Sequence, residues 1–179
     1  MKEPLSQKGE GEVKVLIVSD SHGRADLLAR IVEDVRPDHM IHCGDFCTSL
    51  DRLPEISRSV ARGNCDWEEV ADEQVWEGEG VRFFVVHGHR HQVKRDLSLI
   101  RVRAEEKGAQ IACFGHSHVP VLKKRGNILL INPGSIAHPR EVAHPSYAVL
   151  ESEAPRQVRV SYYLPDGRPL PRWGGRFSL

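Results

Sequence analysis

The sequence predicts an α/β fold, with one mixed sheet or two sheets packed together. Three observations carry this reading. In the first half, short β-branched apolar runs such as residues 13–18 (VKVLIV) alternate with helix-period stretches. The second half is a succession of short apolar runs separated by Gly, Pro and Asn turn signals. The apolar runs end repeatedly in small clusters of Asp, Asn, His and Gly.

Taken in order, residues 1–12 (MKEPLSQKGEGE) are polar and read as a flexible lead-in to a single domain over residues 13–164. Residues 13–18 are a buried strand. A helix follows over 25–35, with apolar positions Leu27, Leu28, Ile31, Val32 and Val35, and Pro37 marks its end. Strands are expected at 39–43 and 59–61, with a helix-like segment at 49–57 between them. Residues 70–76 and 81–86 read as two strands around a Gly-rich turn. A helix is expected over 94–107, then strands at 111–114, 119–122, 128–131, 147–150 and 158–163. Residues 165–179, rich in Pro, Gly and Arg, read as a C-terminal tail. Its Trp173 and Phe177 are either packed back on the domain or a partner subunit, or disordered with the rest of the tail.

Composition excludes several functions. A chain of 179 residues suits one domain with a real core. Lys+Arg and Asp+Glu are both 25, so bulk charge does not equip the protein to grip nucleic acid. No apolar run approaches the roughly 18 residues of a membrane span. The N-terminus carries no apolar h-region, so a cytoplasmic location is expected. The four cysteines, at 43, 47, 65 and 113, form no C-x-x-C pair and read as free thiols. Histidine is abundant, with ten residues, and its clustering points to metal.

Five polar clusters sit where apolar runs end: Asp20-x-His22, Gly44-Asp45, Gly63-Asn64, His87, and His116-x-His118. Ligands of α/β folds bind at the carboxyl ends of strands. Residues two apart on an extended segment face the same way, so Asp20 with His22, and His116 with His118, are expected to converge. Asp20, His22, Asp45, Asn64, His87, His116 and His118 make seven ligands, enough for two four-ligand sets if Asp45 is shared. Mixed imidazole and oxygen donors suit Mn²⁺, Fe, Zn²⁺ or Ni²⁺ better than Ca²⁺. Two such ions form a clamp for phosphoryl displacement, and two carboxylates leave the site cationic enough for an anionic ester.

Asp-x-His, Gly-Asp, Gly-Asn-x-Asp, His-Gly and Gly-His-x-His in this order resemble the calcineurin-like metallophosphoesterases. Chain length and the segment Asn132-Pro133-Gly134-Ser135 resemble their small, single-domain prokaryotic phosphodiesterase branch. The resemblance covers about residues 13–163. It implies a four-layer α/β/β/α sandwich. It implies a dinuclear hydrolase in which Asp20, His22 and His118 hold one ion, Asn64, His87 and His116 the other, and Asp45 bridges. It further implies in-line attack on phosphorus by a hydroxide bridging the ions, with Asp20, Asp45, Asn64 and His87 carrying the catalytic constellation. Manganese is the first candidate, with Ni, Fe or Zn as alternatives.

Many members of the family carry His after the motif Asn; here that position is Cys65. A thiol adds no positive charge and is a poor proton donor to an alkoxide, so a small phosphodiester is expected as substrate in preference to a monoester. Asp66 fits the family role of fixing the neighbouring loop. His89 and Arg24 are candidates for ligand support or substrate contact, with surface residues as the plainer reading. Cys43, Cys47 and Cys113 read as small buried apolar residues. The retromer small subunit, a protein-binding scaffold of the same fold with a degraded metal site, gives the alternative function. A DNA-processing nuclease of the superfamily fits less well, since this chain lacks the spare length and the positive charge. The tail and exposed strands leave a homodimer or higher homo-oligomer open.

Overall fold

The computed structural model describes residues 12–179, so residues 1–11 of the expected lead-in lie outside it. Eleven strands and two α-helices follow in chain order: Lys14–Val18 (β1), Ala25–Val35 (α1), His39–His42 (β2), Arg58–Val60 (β3), Glu73–Gly78 (β4), Val81–Val86 (β5), Ser98–Glu106 (α2), Ile111–Cys113 (β6), Val121–Arg125 (β7), Ile128–Asn132 (β8), Tyr147–Ala154 (β9), Gln157–Tyr163 (β10) and Pro169–Ser178 (β11).

Two mixed sheets result, in the orders β11-β10-β9-β1-β2-β3 and β4-β5-β6-β8-β7. Within the first, β1, β2 and β3 run parallel, and β9 returns antiparallel beside β1. Within the second, β5, β6 and β8 run parallel.

The period-2 alternation of β1 sets the layers. Val15 and Ile17 join Ile41 and Cys43 against Phe83, Val85, Ile111 and Ile131 of the facing sheet. Leu16 and Val18 point the other way, onto Leu28, Ile31 and Val35 of α1. Phe84 and Val86 do the same on the second sheet, packing on Ile100 and Ala104 of α2. The order is therefore helix, sheet, sheet, helix. Strands buried on both faces read as continuous apolar runs, which is the pattern of residues 13–18 and 81–86. Among the described residues no helix is long and apolar enough to cross a membrane.

Two expectations need correction. The helix-like segment at 49–57 is only one 3₁₀ turn, Leu50–Arg52. Pro54 cannot continue a helix, and the Arg58 guanidinium instead collects the carbonyls of Leu50, Leu53 and Pro54. The stretch at 165–179, expected as a tail, supplies edge strand β11, which pairs antiparallel with β10. Pro169 and Pro171 are tolerated because one side of an edge strand needs no donors. Trp173 and Phe177 pack back against the inter-sheet core, as one of the two sequence readings held.

Candidate metal centre

All five polar clusters arrive at one end of the sandwich. β1 leads to Asp20 and His22, β2 to Asp45, β3 to Asn64, β5 to His87, and β6 to His116 and His118. Both sheets thus deliver side chains from the carboxyl ends of parallel strands. Within each sheet the neighbouring loops are stitched by backbone hydrogen bonds: Asp20 N–H to Gly44 O and His22 N–H to Asp45 O after β1 and β2, and Gly115 N–H to His87 O after β6 and β5.

The way the residues are aimed differs from the expectation. Extended alternation does not do it. Asp20, His22, Asp45, His116 and His118 have φ of 53°, 42°, 55°, 67° and 59°, all in the left-handed region. Non-glycine residues rarely sit there, and each costs of order 1 kcal/mol. Five such residues at one end of the molecule concentrate backbone strain on the loops that gather these side chains. Sequence pattern shows which residues meet, but not this device.

The ligand atoms form two adjoining groups. Asp20 Oδ1 lies 3.0 Å from His118 Nε2 and 3.8 Å from His22 Nε2, and the two imidazole nitrogens are 3.3 Å apart. In the second group His87 Nε2 lies 3.3 Å from Asp45 Oδ2 and 3.0 Å from Asn64 Oδ1. The His116 ring centroid is 5.0 Å from that of His87. Asp20, Asp45 and His87 offer atoms within 4.8 Å of one another and so join the groups.

The donor chemistry fits a cation. His87 Nδ1–H donates to the Cys43 carbonyl at 2.8 Å, and His118 Nδ1–H donates to the His138 carbonyl at 2.5 Å. A neutral ring that donates through Nδ1 carries a bare lone pair on Nε2. The His87 lone pair then faces two acceptor oxygens, and that of His118 faces a carboxylate. Among the described residues, buried Asp20 Oδ1 finds no hydrogen-bond partner. Buried acceptors aimed at one another are satisfied by a positive charge placed among them.

Titration agrees. Burial raises the Asp20 carboxyl, but His118, His87 and Ser19 outweigh it and leave it below the usual range. Asp45 is held well below it: His87 and the Cys65 N–H overcome the penalty of burial. Burial, with His87 adding, pushes His116 down to about 4, and burial also lowers His22. Ionised carboxylates and neutral imidazoles are the ligating forms. For His87 burial is outweighed by Asp45 and Asp20, so its pKa rises, another sign that the pocket attracts positive charge.

The residues match a family model, the calcineurin-like phosphoesterase superfamily domain, over residues 13–154. The chain belongs to the calcineurin-like phosphoesterase superfamily. It is 41% identical to the probable metallophosphoesterase YsnB of Bacillus subtilis over 93% of this chain and 100% of that one. It is 32% identical to the probable metallophosphoesterase MJ0623 of Methanocaldococcus jannaschii, over 73% and 71%. A conserved protein of Streptococcus pneumoniae, described as a predicted phosphoesterase, superposes with a TM-score of 0.86 at 27% identity, covering 94% and 98%. Vps29 of Entamoeba histolytica shares the fold, with a TM-score of 0.74 at 21% identity, covering 93% and 99%.

A surrounding shell holds the phosphoesterase loops. Asp66 accepts three backbone N–H groups, from Asp45 and Gly63 on Oδ2 and from Cys47 on Oδ1, each at 2.8 Å. His42 accepts Gly44 N–H through Nδ1, so its Nε2–H donates to Ser21 Oγ. Ser135 donates to the Asp20 carbonyl at 2.8 Å and accepts from Ala137 and His138, which makes it a turn organiser. Gly115 stands where a Cβ would come within 1.9 Å of Ser19 Oγ and 2.6 Å of Asp20 Oδ2.

Cys65 and Asn64 are exposed at the mouth of this candidate site. The His89 ring lies 5.4 Å from His87 and 6.1 Å from His116, beside the second group. Arg24 stays outside both groups, with its guanidinium 3.5 Å from Asp26. Cys43 and Cys113 are buried as expected, but Cys47 is half-buried with its sulfur 3.5 Å from His22 Nδ1. Sequence reading missed Ser19, which donates to Asp20 Oδ2 at 2.6 Å, although a hydroxyl beside a candidate ligand is a usable signal. The carbonyls of Cys43 and His138 leave no trace in side-chain identity.

Proposed function

We propose that this chain is a metal-dependent phosphodiesterase. In this reading Asp20, His22 and His118 hold one divalent ion, Asn64, His87 and His116 hold a second, and Asp45 is shared. The observation that supports it best is the His87 Nε2 lone pair, bare because Nδ1–H is donated to Cys43, facing both Asp45 and Asn64. Bound there, two divalent ions supply Lewis-acid stabilisation of the phosphoryl charge and a water acidic enough to serve as nucleophile for in-line displacement. The protein contributes fixed geometry. The Cys43 and His138 carbonyls lock two imidazoles in one tautomer, and Asp66 holds the loops of Asp45 and Asn64.

Manganese is the preferred ion, with Ni, Fe and Zn as rivals, because mixed imidazole and oxygen donors do not separate them. Free thiols suit a reducing, cytoplasmic setting. At the mouth, Cys65 offers an exposed thiol, which is a poor proton donor to an alkoxide and adds no positive charge. A dianionic monoester therefore lacks a partner there, and a small monoanionic diester is the better substrate.

Hydrolysis of bis(p-nitrophenyl) phosphate by metal-stripped protein, with and without Mn²⁺, tests the reading. Turnover restored by Mn²⁺ and absent in Asp45→Asn supports it. Metal binding with no turnover of any ester refutes it and favours the scaffold alternative.

A further inference from the structure

A groove of about 360 Å³ has walls that continue in sequence from residues of the candidate metal centre, and is lined among others by Arg24, Leu27, Ile136, Pro145, Leu164 and Arg168. Its size falls in the range of small-molecule sites, about 300–1,000 Å³. Two walls start from the centre itself. Arg24 and Leu27 follow His22 into α1. Ile136 and Ala137 precede His138, whose carbonyl accepts His118 Nδ1–H and whose ring lies 5.2 Å from that of His22. The Ser135 hydroxyl ties this wall to the Asp20 backbone. The groove is therefore fixed relative to the point where a phosphate would sit.

Its chemistry is uneven. The floor is apolar, from Leu27, Ile136, Ala137, Pro145, Leu164 and Pro165. The rim carries donors. Among the described residues the Arg24 guanidinium pairs with Asp26, at 3.5 Å, and shares that carboxylate with Arg30. Arg168 uses Nε on Asp166, whose other oxygen accepts the Arg168 backbone N–H, so the groove's carboxylate is already engaged on both oxygens. Among the described residues the remaining guanidinium donors of Arg168 have no hydrogen-bond partner. An apolar floor with a donor-rich rim suits a flat ring that carries carbonyl or ring-nitrogen acceptors, and a guanidinium can also stack on such a ring.

We infer that this groove binds the retained arm of the substrate and that this arm is a nucleoside, so the phosphodiester cleaved is a nucleotidyl ester. The inference rests on the phosphodiesterase reading for its catalytic consequence, but not for binding. A diester has two arms; the attacking and leaving oxygens lie in line, and the retained arm leaves the phosphorus to one side. The groove lies to one side of the centre, where such an arm needs a surface.

Two readouts test it on the metal-loaded protein. The first compares kcat/KM for the p-nitrophenyl ester of thymidine 5′-monophosphate with that for methyl p-nitrophenyl phosphate, which shares the leaving group but has no ring on the retained arm. Wild type is expected to prefer the thymidine ester by about tenfold or more, the scale of one buried ring. Leu27→Trp, which fills the floor, is expected to remove most of that preference through KM. Arg168→Ala should reduce it partly. Equal kcat/KM values in wild type, or equal losses on both esters in Leu27→Trp, overturn the inference. The second readout is saturable binding of thymidine 5′-monophosphate by equilibrium dialysis. If neither these esters nor bis(p-nitrophenyl) phosphate turns over, the phosphodiesterase reading fails, and this binding then judges the groove alone. Saturation weakened by Leu27→Trp upholds the groove, and no saturation overturns it.

Discussion

His87 and Cys43 are joined by one hydrogen bond, from imidazole Nδ1–H to the backbone carbonyl at 2.8 Å, and this bond ties the second sheet to the first at the mouth of the sandwich. It also fixes which nitrogen of His87 is free. The free nitrogen meets Asp45, which follows β2 as Cys43 does, and Asn64, which follows β3. A bond between the sheets thus sets up the donor atoms of the candidate metal centre.

In the proposed arrangement Asp45 is shared by both ions, so its loss is expected to disable both. Asp45→Asn keeps the shape and removes the charge. Hydrolysis should fall about 100-fold or more, the scale of lost charge stabilisation in a preorganised site. Far-UV circular dichroism should be unchanged, because Asn still accepts the Cys65 N–H made here by Oδ1.

Asp66 has a different part. Its carboxylate accepts three backbone N–H groups. Asp66→Ala leaves them without an acceptor and should cost about 3 kcal/mol, since bonds to charged groups are each of order 1.5–3 kcal/mol and do not add fully. Thermal denaturation should show a Tm lower by several degrees, with metal affinity falling in parallel. Asp66→Asn should recover part of both.

Gly115 is a packing requirement of the site. Gly115→Ala would drive a methyl into Ser19 Oγ and Asp20 Oδ2, and Asp20 cannot retreat without losing its bond from the His116 N–H. Metal affinity should fall while the core strands remain. Titration with Mn²⁺ followed by calorimetry checks this, and wild-type affinity in the variant would contradict it.

Stability should fall in mild acid. His39 is buried, stacked on Trp76 with 4.0 Å between ring centroids, and shares both ring nitrogens with Ser57 and Ser59. Burial pushes its pKa down to about 4 from the ordinary 6.5. The unfolded chain then binds the extra proton first. Stability is complete above pH 6.5 and is lost as pH falls from 6.5 toward 4. His42 and His116 shift the same way. Tm measured from pH 7 to pH 4.5 should decline, and His39→Gln should make that decline shallower.

Which side chains meet at the candidate site was legible in sequence, because Asp, Asn and His recur where apolar runs end. Asp20, His22, Asp45, Asn64, His87, His116 and His118 are visible that way, and the buried strands show as apolar runs. The left-handed backbone at five of these positions was not legible, since φ follows from tertiary constraint and not from residue type. Strand β11 was hidden by Pro169, Pro171, Gly174 and Gly175, residues that disfavour strands except at an edge. The helix expected near 49–57 failed at Pro54, with Arg58 binding the freed carbonyls.

Cys65 gives the account its substrate preference. Cys65→His supplies a donor and a positive charge beside Asn64. Activity on p-nitrophenyl phosphate should rise relative to that on bis(p-nitrophenyl) phosphate. An unchanged ratio would remove Cys65 as the cause of diester preference.

The most direct test of the central claim is metal stoichiometry. Protein stripped by chelator, reloaded with Mn²⁺ and desalted is measured by elemental mass spectrometry against protein concentration. Two ions per chain in wild type, and fewer than two in Asp45→Asn, are the predicted result. One ion or none in wild type would contradict the seven-ligand, two-ion arrangement.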